Sequence, residues 1–195
     1  MIRLLRNPKG LLLSIILLFG AVCFCIWQNN SIVITRFNHS DRKIPGEFNN
    51  FTIVQISDLH NKKFGPQQKN IIKKIKSISP DIIVVTGDLI DRRKYDLETA
   101  LTFIEKAVEI APVYYVSGNH EIWSGKYDLI KSKLIDAKAT VLDDEMVTLS
   151  NGSSSIQVLG LSHPGFLVSG GKKRTDTRKM KAQDRKSTRL NSSHT

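Results

Sequence analysis

Short apolar runs, each ending in a polar motif, alternate with helical periods through the middle of the chain. Phe51 to Ile56 (FTIVQI), Asp81 to Thr86 (DIIVVT) and Val113 to Ser117 (VYYVS) are β-branched or aromatic and bounded by turn residues, which predicts three strands. Between them the period lengthens. Ile71, Ile72, Ile75 and Ile78 recur at helical spacing after Gly65-Pro66, where proline at the first helical position sacrifices no hydrogen bond. Leu97, Leu101, Ile104 and Val108 make a second stripe, with Asp96 placed to cap it and Pro112 to stop it. Further on, Tyr127 to Ala137 predicts a third helix, and Thr140 to Leu142, Met146 to Leu149 and Ser155 to Leu161 predict shorter strands, the last two joined by a turn at Asn151-Gly152. Residues 28–50 read as a polar connector in which SIVITRF alternates enough for an edge strand.

A β-α-β-α-β order with right-handed crossovers makes the three strands parallel and brings their carboxyl ends to one edge of the sheet. Ligands bind at that edge in open α/β sheets. The motifs at the three strand ends are SDLH (57–60), GDLID (87–91) and GNHE (118–121), so Asp58, His60, Asp88, Asp91, Asn119 and His120 are expected to converge. Singly, each motif is ordinary turn or cap chemistry. Together they offer carboxylate, imidazole and amide oxygen, a donor set suited to divalent cations. Asp88, from the central motif, is the natural carboxylate to bridge a pair of ions. Gly87 and Gly118 fit a sharp exit from a strand, through positive φ or close backbone approach.

The set SDLH, TGDLID and SGNHE resembles the first half of the calcineurin-like metallophosphoesterases, and SPDIIVVTGDLID and PVYYVSGNHEIW look most like their membrane-anchored bacterial branch. The similarity covers roughly residues 32–165. It implies an α/β fold, a four-layer αββα sandwich, and a site holding two divalent metal ions such as Mn, Fe or Zn. It also implies roles: Asp58 and His60 on the first metal, Asp88 bridging, Asn119 on the second. His120 would be a catalytic residue that is not a ligand, contacting the phosphate and stabilising or protonating the leaving oxygen. Asp91 would orient His120 or a ligand, and Arg92 lies where some relatives bind phosphate, although Arg93 replaces the glycine that follows it there. The chemistry suits the residues. A water between two divalent ions loses a proton near neutral pH, since one zinc alone brings it to roughly pKa 7, and the hydroxide attacks phosphorus in line. Two other readings remain: a protein-interaction scaffold of the same fold, with or without metal, and a nucleic-acid phosphodiesterase. A nucleotide module would want a Gly-rich loop after its first strand, and SDLHNKKFG has none.

Charge changes the picture less than its total of +11 suggests. Residues 1–10 carry three basic residues, 171–183 six against one acidic, and 184–195 three against one, which accounts for +10. The remainder, 11–170, is near neutral, so the basic pI argues for no nucleic-acid partner. The run GKKRTDTRKMK has no interleaved aromatics and reads as an exposed loop. Leu11 to Trp27 is a 17-residue uncharged run preceded by Arg3, Arg6 and Lys9. It is expected to cross the membrane once, with the domain at 51–170 outside the cytoplasm and the bilayer as a partner; a cleaved signal is the rival. Cys23 and Cys25 both fall in this segment, as apolar filler or, more remotely, acylation sites. An extracytoplasmic site beside a bilayer favours a membrane or cell-envelope phosphoester.

Relatives complete the site with a Gly-His pair and a Gly-His-x-His motif, and nothing here matches either. His163 in LSHPGF follows a strand-like run and reads as a turn residue, and His39 precedes the domain. Asp184 to His194 (DRKSTRLNSSH) resembles the conceptual translation of a widely used sequencing adapter. The expectation is therefore a partial domain whose authentic sequence ends near Gln183 and which is inactive as it stands.

Overall fold

The computed structural model describes residues 8–162; His163, the basic run at 171–183 and the adapter-like tail lie outside them. The chain divides into two units, one ending at His39 and one starting at Ser40. The first contains helix α1, Pro8–Asn30, 23 residues long. At 1.5 Å per residue it measures about 34 Å, enough to cross a hydrocarbon core of about 30 Å. It overruns the uncharged run at both ends. At its carboxyl end Asn30 Nδ2 donates to Ile26 O at 2.7 Å and Ser31 Oγ to Trp27 O at 2.8 Å, which satisfies carbonyls that a helix end leaves open. SIVITRF forms no strand: Val33 is 83% and Phe37 88% exposed. Alternation alone does not make a strand when no neighbouring strand takes its backbone groups.

The second unit is built on a four-stranded sheet in the order β1 (Ile53–Ile56), β2 (Ile82–Thr86), β3 (Val113–Val116) and β4 (Thr140–Val141). All neighbouring pairs are parallel. The strands predicted from the apolar runs are present, each trimmed by a residue or two. Between them lie α2 (Lys69–Ile78), α3 (Leu97–Val108), a short α4 (Asn119–Trp123) and α5 (Tyr127–Asp136). Helices α2 and α3, and α3 and α5, pack side by side. Val54, Ile83, Val85, Val113, Tyr115 and Val141 share one face of the sheet by register and are all buried. The opposite face is more open, with Ile53 and Gln55 exposed and Val84, Tyr114 and Val116 half-buried.

Two helices differ from expectation. In α3 the buried face is Thr99, Ala100, Phe103, Ile104 and Ala107, while Leu97, Leu101 and Val108 are half-buried. Ala100 and Ala107 carry little bulk, which suits the face turned inward beside Phe103. Asp96 caps the helix as predicted, accepting from Thr99 N at 3.1 Å. Helix α2 begins at Lys69 rather than at Pro66, because Gln67 and Gln68 take left-handed φ of 49° and 61°. Buried Gln68 then closes the preceding loop, its amide donating to Lys62 O at 2.9 Å and its oxygen accepting from Phe64 N at 2.8 Å.

Strands β5 (Met146–Asn151) and β6 (Ser154–Leu159) form an antiparallel hairpin. Asn151 pairs with Ser154, so the turn is Gly152-Ser153, one residue later than predicted. Glu47 ties the hairpin down: its carboxylate accepts from Ser153 Oγ at 3.1 Å and Ser154 Oγ at 2.8 Å, and its carbonyl accepts from Asn151 Nδ2. Phe48 is buried and its ring lies 5.1 Å from that of Phe51. The last residues read as connector thus pack with the second unit. Beneath the sheet edge, Tyr127 Oη donates to the Asp143 carboxylate, which also accepts from Lys131 Nζ at 2.9 Å.

Candidate metal centre

The three motif loops leave the carboxyl ends of β1, β2 and β3, and the first two are sewn together by backbone hydrogen bonds. Asp58 N donates to Gly87 O at 3.2 Å, His60 N to Asp88 O at 2.9 Å and Asn61 N to Leu89 O at 2.9 Å. Asp58, His60, Asn61 and Asp88 take left-handed φ of 56°, 46°, 60° and 53°. Among side-chain-bearing residues, Asp, Asn and His tolerate that region best. These bonds hold the loops in it and turn the side chains of a parallel sheet edge toward one another.

Gly87 and Gly118 set how closely the loops approach. Gly87 has φ 85°, and a Cβ there would fall 2.4 Å from Gly118 N. Gly118 is extended, with φ −97° and ψ −175°, so positive φ is not its reason. A Cβ on it would strike Asp88 Oδ1 at 2.2 Å and Asp88 N at 2.5 Å.

Ligand atoms of His60, Asp88 and His120 lie within 4.8 Å of one another, a cluster able to hold a metal ion. Asp58 flanks it, its Oδ1 3.6 Å from His60 Nε2, and accepts from the Ser57 hydroxyl. Asp88 is buried; its Oδ2 is 4.0 Å from His60 Nε2 and its Oδ1 accepts from His120 N at 2.8 Å. Asn119 is half-buried at the start of α4, and its side chain makes no hydrogen bond among the described residues.

The two imidazoles, 4.4 Å apart between ring centres, have opposite hydrogen-bond partners. His60 Nδ1 faces the Ile90 carbonyl at 3.3 Å, an acceptor, so this nitrogen carries the proton and Nε2 keeps its lone pair for a cation. His120 Nδ1 accepts the Arg92 backbone N–H at 3.2 Å, so its proton sits on Nε2 and that nitrogen is a donor. These tautomers follow from the hydrogen-bond geometry. A donor set of two carboxylates and an imidazole lone pair fits a divalent cation.

Asp91 Oδ1 lies 3.5 Å from His120 Nδ1. Its carboxylate chiefly takes the Arg93 backbone N–H at 2.9 Å and then the Arg93 guanidinium, and both hold it below the usual carboxylate range. Arg92 is exposed, its guanidinium carbon 4.8 Å over the Trp123 ring.

Sequence reasoning missed Glu121, which is fully buried. Its Oε2 accepts from Asp88 N at 2.8 Å and Gly118 N at 2.9 Å, and its Oε1 accepts from Ile90 N at 3.1 Å. One carboxylate thus joins the second motif to the third. The available signal was Gly-x-x-Glu at a helix start, the spacing of a side chain that bonds back to the capping residue.

The family model for calcineurin-like phosphoesterase matches residues 51–192, well over half of the chain. The chain belongs to that family. It carries the calcineurin-like α/β fold with a parallel sheet, preceded by an apolar helix long enough to cross a membrane. Among curated proteins it is 27% identical over 126 residues to an uncharacterized metallophosphoesterase of Campylobacter jejuni, covering 64% of this chain and 32% of that one. It is 34% identical over 113 residues to the UDP-2,3-diacylglucosamine pyrophosphatase LpxG of Chlamydia trachomatis, covering 54% and 34%. It is 26% identical over 113 residues to a transmembrane protein with metallophosphoesterase domain of Bos taurus, covering 55% and 25%. The chain spans between 25% and 34% of the length of these relatives.

Proposed function

We propose that this chain carries the first half of a metal-dependent phosphoester hydrolase centre, acting on a membrane or cell-envelope phosphoester. The observation that carries the reading is the pair of adjacent histidines with opposite tautomers beside buried Asp88. Asp58 and His60 would hold one divalent cation, Asp88 would be shared with a second, and Asn119 would serve the second. Such cations supply charge neutralisation at phosphoryl oxygens and bring the pKa of a bound water down to about 7. His120 would stabilise the leaving oxygen with a hydrogen bond from Nε2–H, while the Arg92 N–H on Nδ1 fixes the ring and Asp91 lies beside it. Asp88 is held for its role by the His120 backbone N–H.

The assignment divides cation binding from stabilisation of the leaving oxygen, and calorimetric titration of the chain with Mn²⁺ tests the division. Asp88→Ala is expected to abolish binding, since both cations lose a ligand. His120→Ala is expected to keep Mn²⁺ affinity and, in a homologue containing both halves, to lower turnover by about 10². Equal loss of cation affinity in both variants would make His120 a ligand and refute the division.

The location supports the choice of substrate. The uncharged run at 11–27 follows Arg3, Arg6 and Lys9, which by the positive-inside rule leaves residue 1 in the cytoplasm and the domain outside. One relative is named for the UDP-2,3-diacylglucosamine pyrophosphatase reaction, which fits a lipid-linked phosphoester. Protease added to spheroplasts should digest the domain and spare α1. Full protection until lysis would reverse the orientation, and mature protein starting after residue 23 or so would mean a cleaved signal.

A further inference from the structure

We propose that Asn61 is a positioning residue of this centre, holding the turn at 91–94 so that His120 presents a donor, and not a lone pair, at Nε2. The proposal rests on the phosphoesterase reading above and deepens it, by naming what fixes the tautomer of the residue assigned to the leaving oxygen. Asn61 follows His60 directly and takes a left-handed φ of 60°. In that conformation it grips the second motif loop twice. Its backbone N–H donates to Leu89 O at 2.9 Å, and its Nδ2 donates to Lys94 O. A carbonyl can only accept, so the second bond assigns the amide nitrogen, not the amide oxygen, to Lys94. One residue thus brackets the segment from Leu89 to Lys94 at both ends.

What lies inside the bracket gives the grip its consequence. Lys94 N donates to Asp91 O at 3.1 Å, which closes a tight turn, and both groups that compete for His120 Nδ1 sit on it. Arg92 N lies 3.2 Å from that nitrogen and Asp91 Oδ1 lies 3.5 Å from it. The first is a donor and the second an acceptor, so neutral His120 can satisfy only one of them through Nδ1, and each demands the opposite tautomer. The two distances are close enough that a small shift of the turn exchanges the partners. An unrestrained turn would settle on the carboxylate, since a charge-assisted hydrogen bond is about twice as strong as a neutral one. Pairing with the Arg92 N–H therefore requires the turn to be held, and Asn61 holds it from the first motif loop. With Asp91 as partner, Nδ1 would carry the proton and Nε2 would offer a lone pair, as His60 Nε2 does. His120 would then be a cation ligand.

The experiment uses the full ¹⁵N-labelled chain in detergent micelles with a chelator, at about pH 8.5, roughly two units above an ordinary imidazole. Two-bond proton–nitrogen spectra read the tautomer of each ring, and the signals lost in His120→Gln belong to His120. The parent should show the Nε2–H pattern. Asn61→Gly and Asn61→Asp both tolerate a left-handed backbone, but neither side chain can donate to Lys94 O. Both should move His120 to the Nδ1–H pattern or to an average of the two. Amide exchange at Arg92 should quicken about tenfold or more in them, while exchange at Ile83, bonded to Pro112 O, should change less than about twofold. Lys94→Ala keeps the accepting carbonyl and should keep the parent pattern. An unmoved tautomer in both Asn61 variants would overturn the assignment, as would a parent with Nδ1 protonated. Equal acceleration at Arg92 and Ile83, or loss of the native spectrum in both variants, would make Asn61 a residue of the fold at large and overturn it too. Mn²⁺ titration of the parent without chelator separates the failures. Absence of binding overturns the centre itself, whereas binding with an unmoved tautomer overturns the role of Asn61 alone.

Discussion

Gly87→Ala is expected to destabilise the second unit by roughly 3 kcal/mol or more and to take cation binding with it. The added methyl meets Gly118 N at 2.4 Å and Gly118 Cα at 2.5 Å, both backbone atoms that no rotamer change can move. The residue would also have to hold φ 85°, which alone costs an alanine about 1 kcal/mol. Overpacking adds typically 1–3 kcal/mol, large against a total stability of about 5–15 kcal/mol. Relief requires the ends of β2 and β3 to part, and Asp88 follows Gly87 directly. Gly46→Ala is the control, since nothing lies within 4 Å of its Cβ position, and it should stay within about 0.5 kcal/mol of the parent. Denaturant unfolding followed by circular dichroism, with Mn²⁺ calorimetry on the same samples, reads both effects. Similar unfolding midpoints for the two variants would mean that the loops do not need this approach.

The parallel sheet was legible because DIIVVT and its neighbours are apolar enough to stand only as buried strands, and because each ends in a polar motif. Convergence of Asp58, His60, Asp88 and His120 at one edge then followed from topology alone, with no contact information. Local periodicity failed where packing decided. It weighted Leu97 and Leu101 above Ala100 and Ala107, yet the buried face of α3 uses the alanines. It allowed SIVITRF an edge strand within the connector, although strand formation depends on a partner that the segment itself cannot reveal. It placed the start of α2 at Pro66, whereas the Gln68 amide stabilises a loop that delays the helix. The tautomers of His60 and His120 depend on Ile90 O and Arg92 N, some thirty residues distant in sequence, and were out of reach for the same reason.

Glu121 shows most clearly what the sequence concealed, and its replacement carries the second large expected effect. Within GNHE the residue resembles one more exposed carboxylate near a metal. In the fold it lies beneath the site, and its partners Asp88 N and Ile90 N come from a motif over thirty residues earlier. Glu121→Ala strands three backbone donors, at Asp88, Ile90 and Gly118, in a buried space. Each such group costs about 1–3 kcal/mol, so a loss of roughly 3 kcal/mol or more is expected without any metal present. Glu121→Gln should fall between. Its one oxygen can serve Asp88 N and Gly118 N, but its amide then points a donor at the Ile90 N–H. Mn²⁺ affinity should drop in step with stability in both variants, because the Asp88 N–H that Glu121 accepts belongs to the candidate shared ligand in its left-handed turn. Were Glu121 a metal ligand instead, the metal-free chain would keep or gain stability on its neutralisation, since burying a carboxylate opposes folding, and affinity alone would fall. Unfolding curves with a chelator present therefore decide between a residue that holds the loops and one that holds the ion.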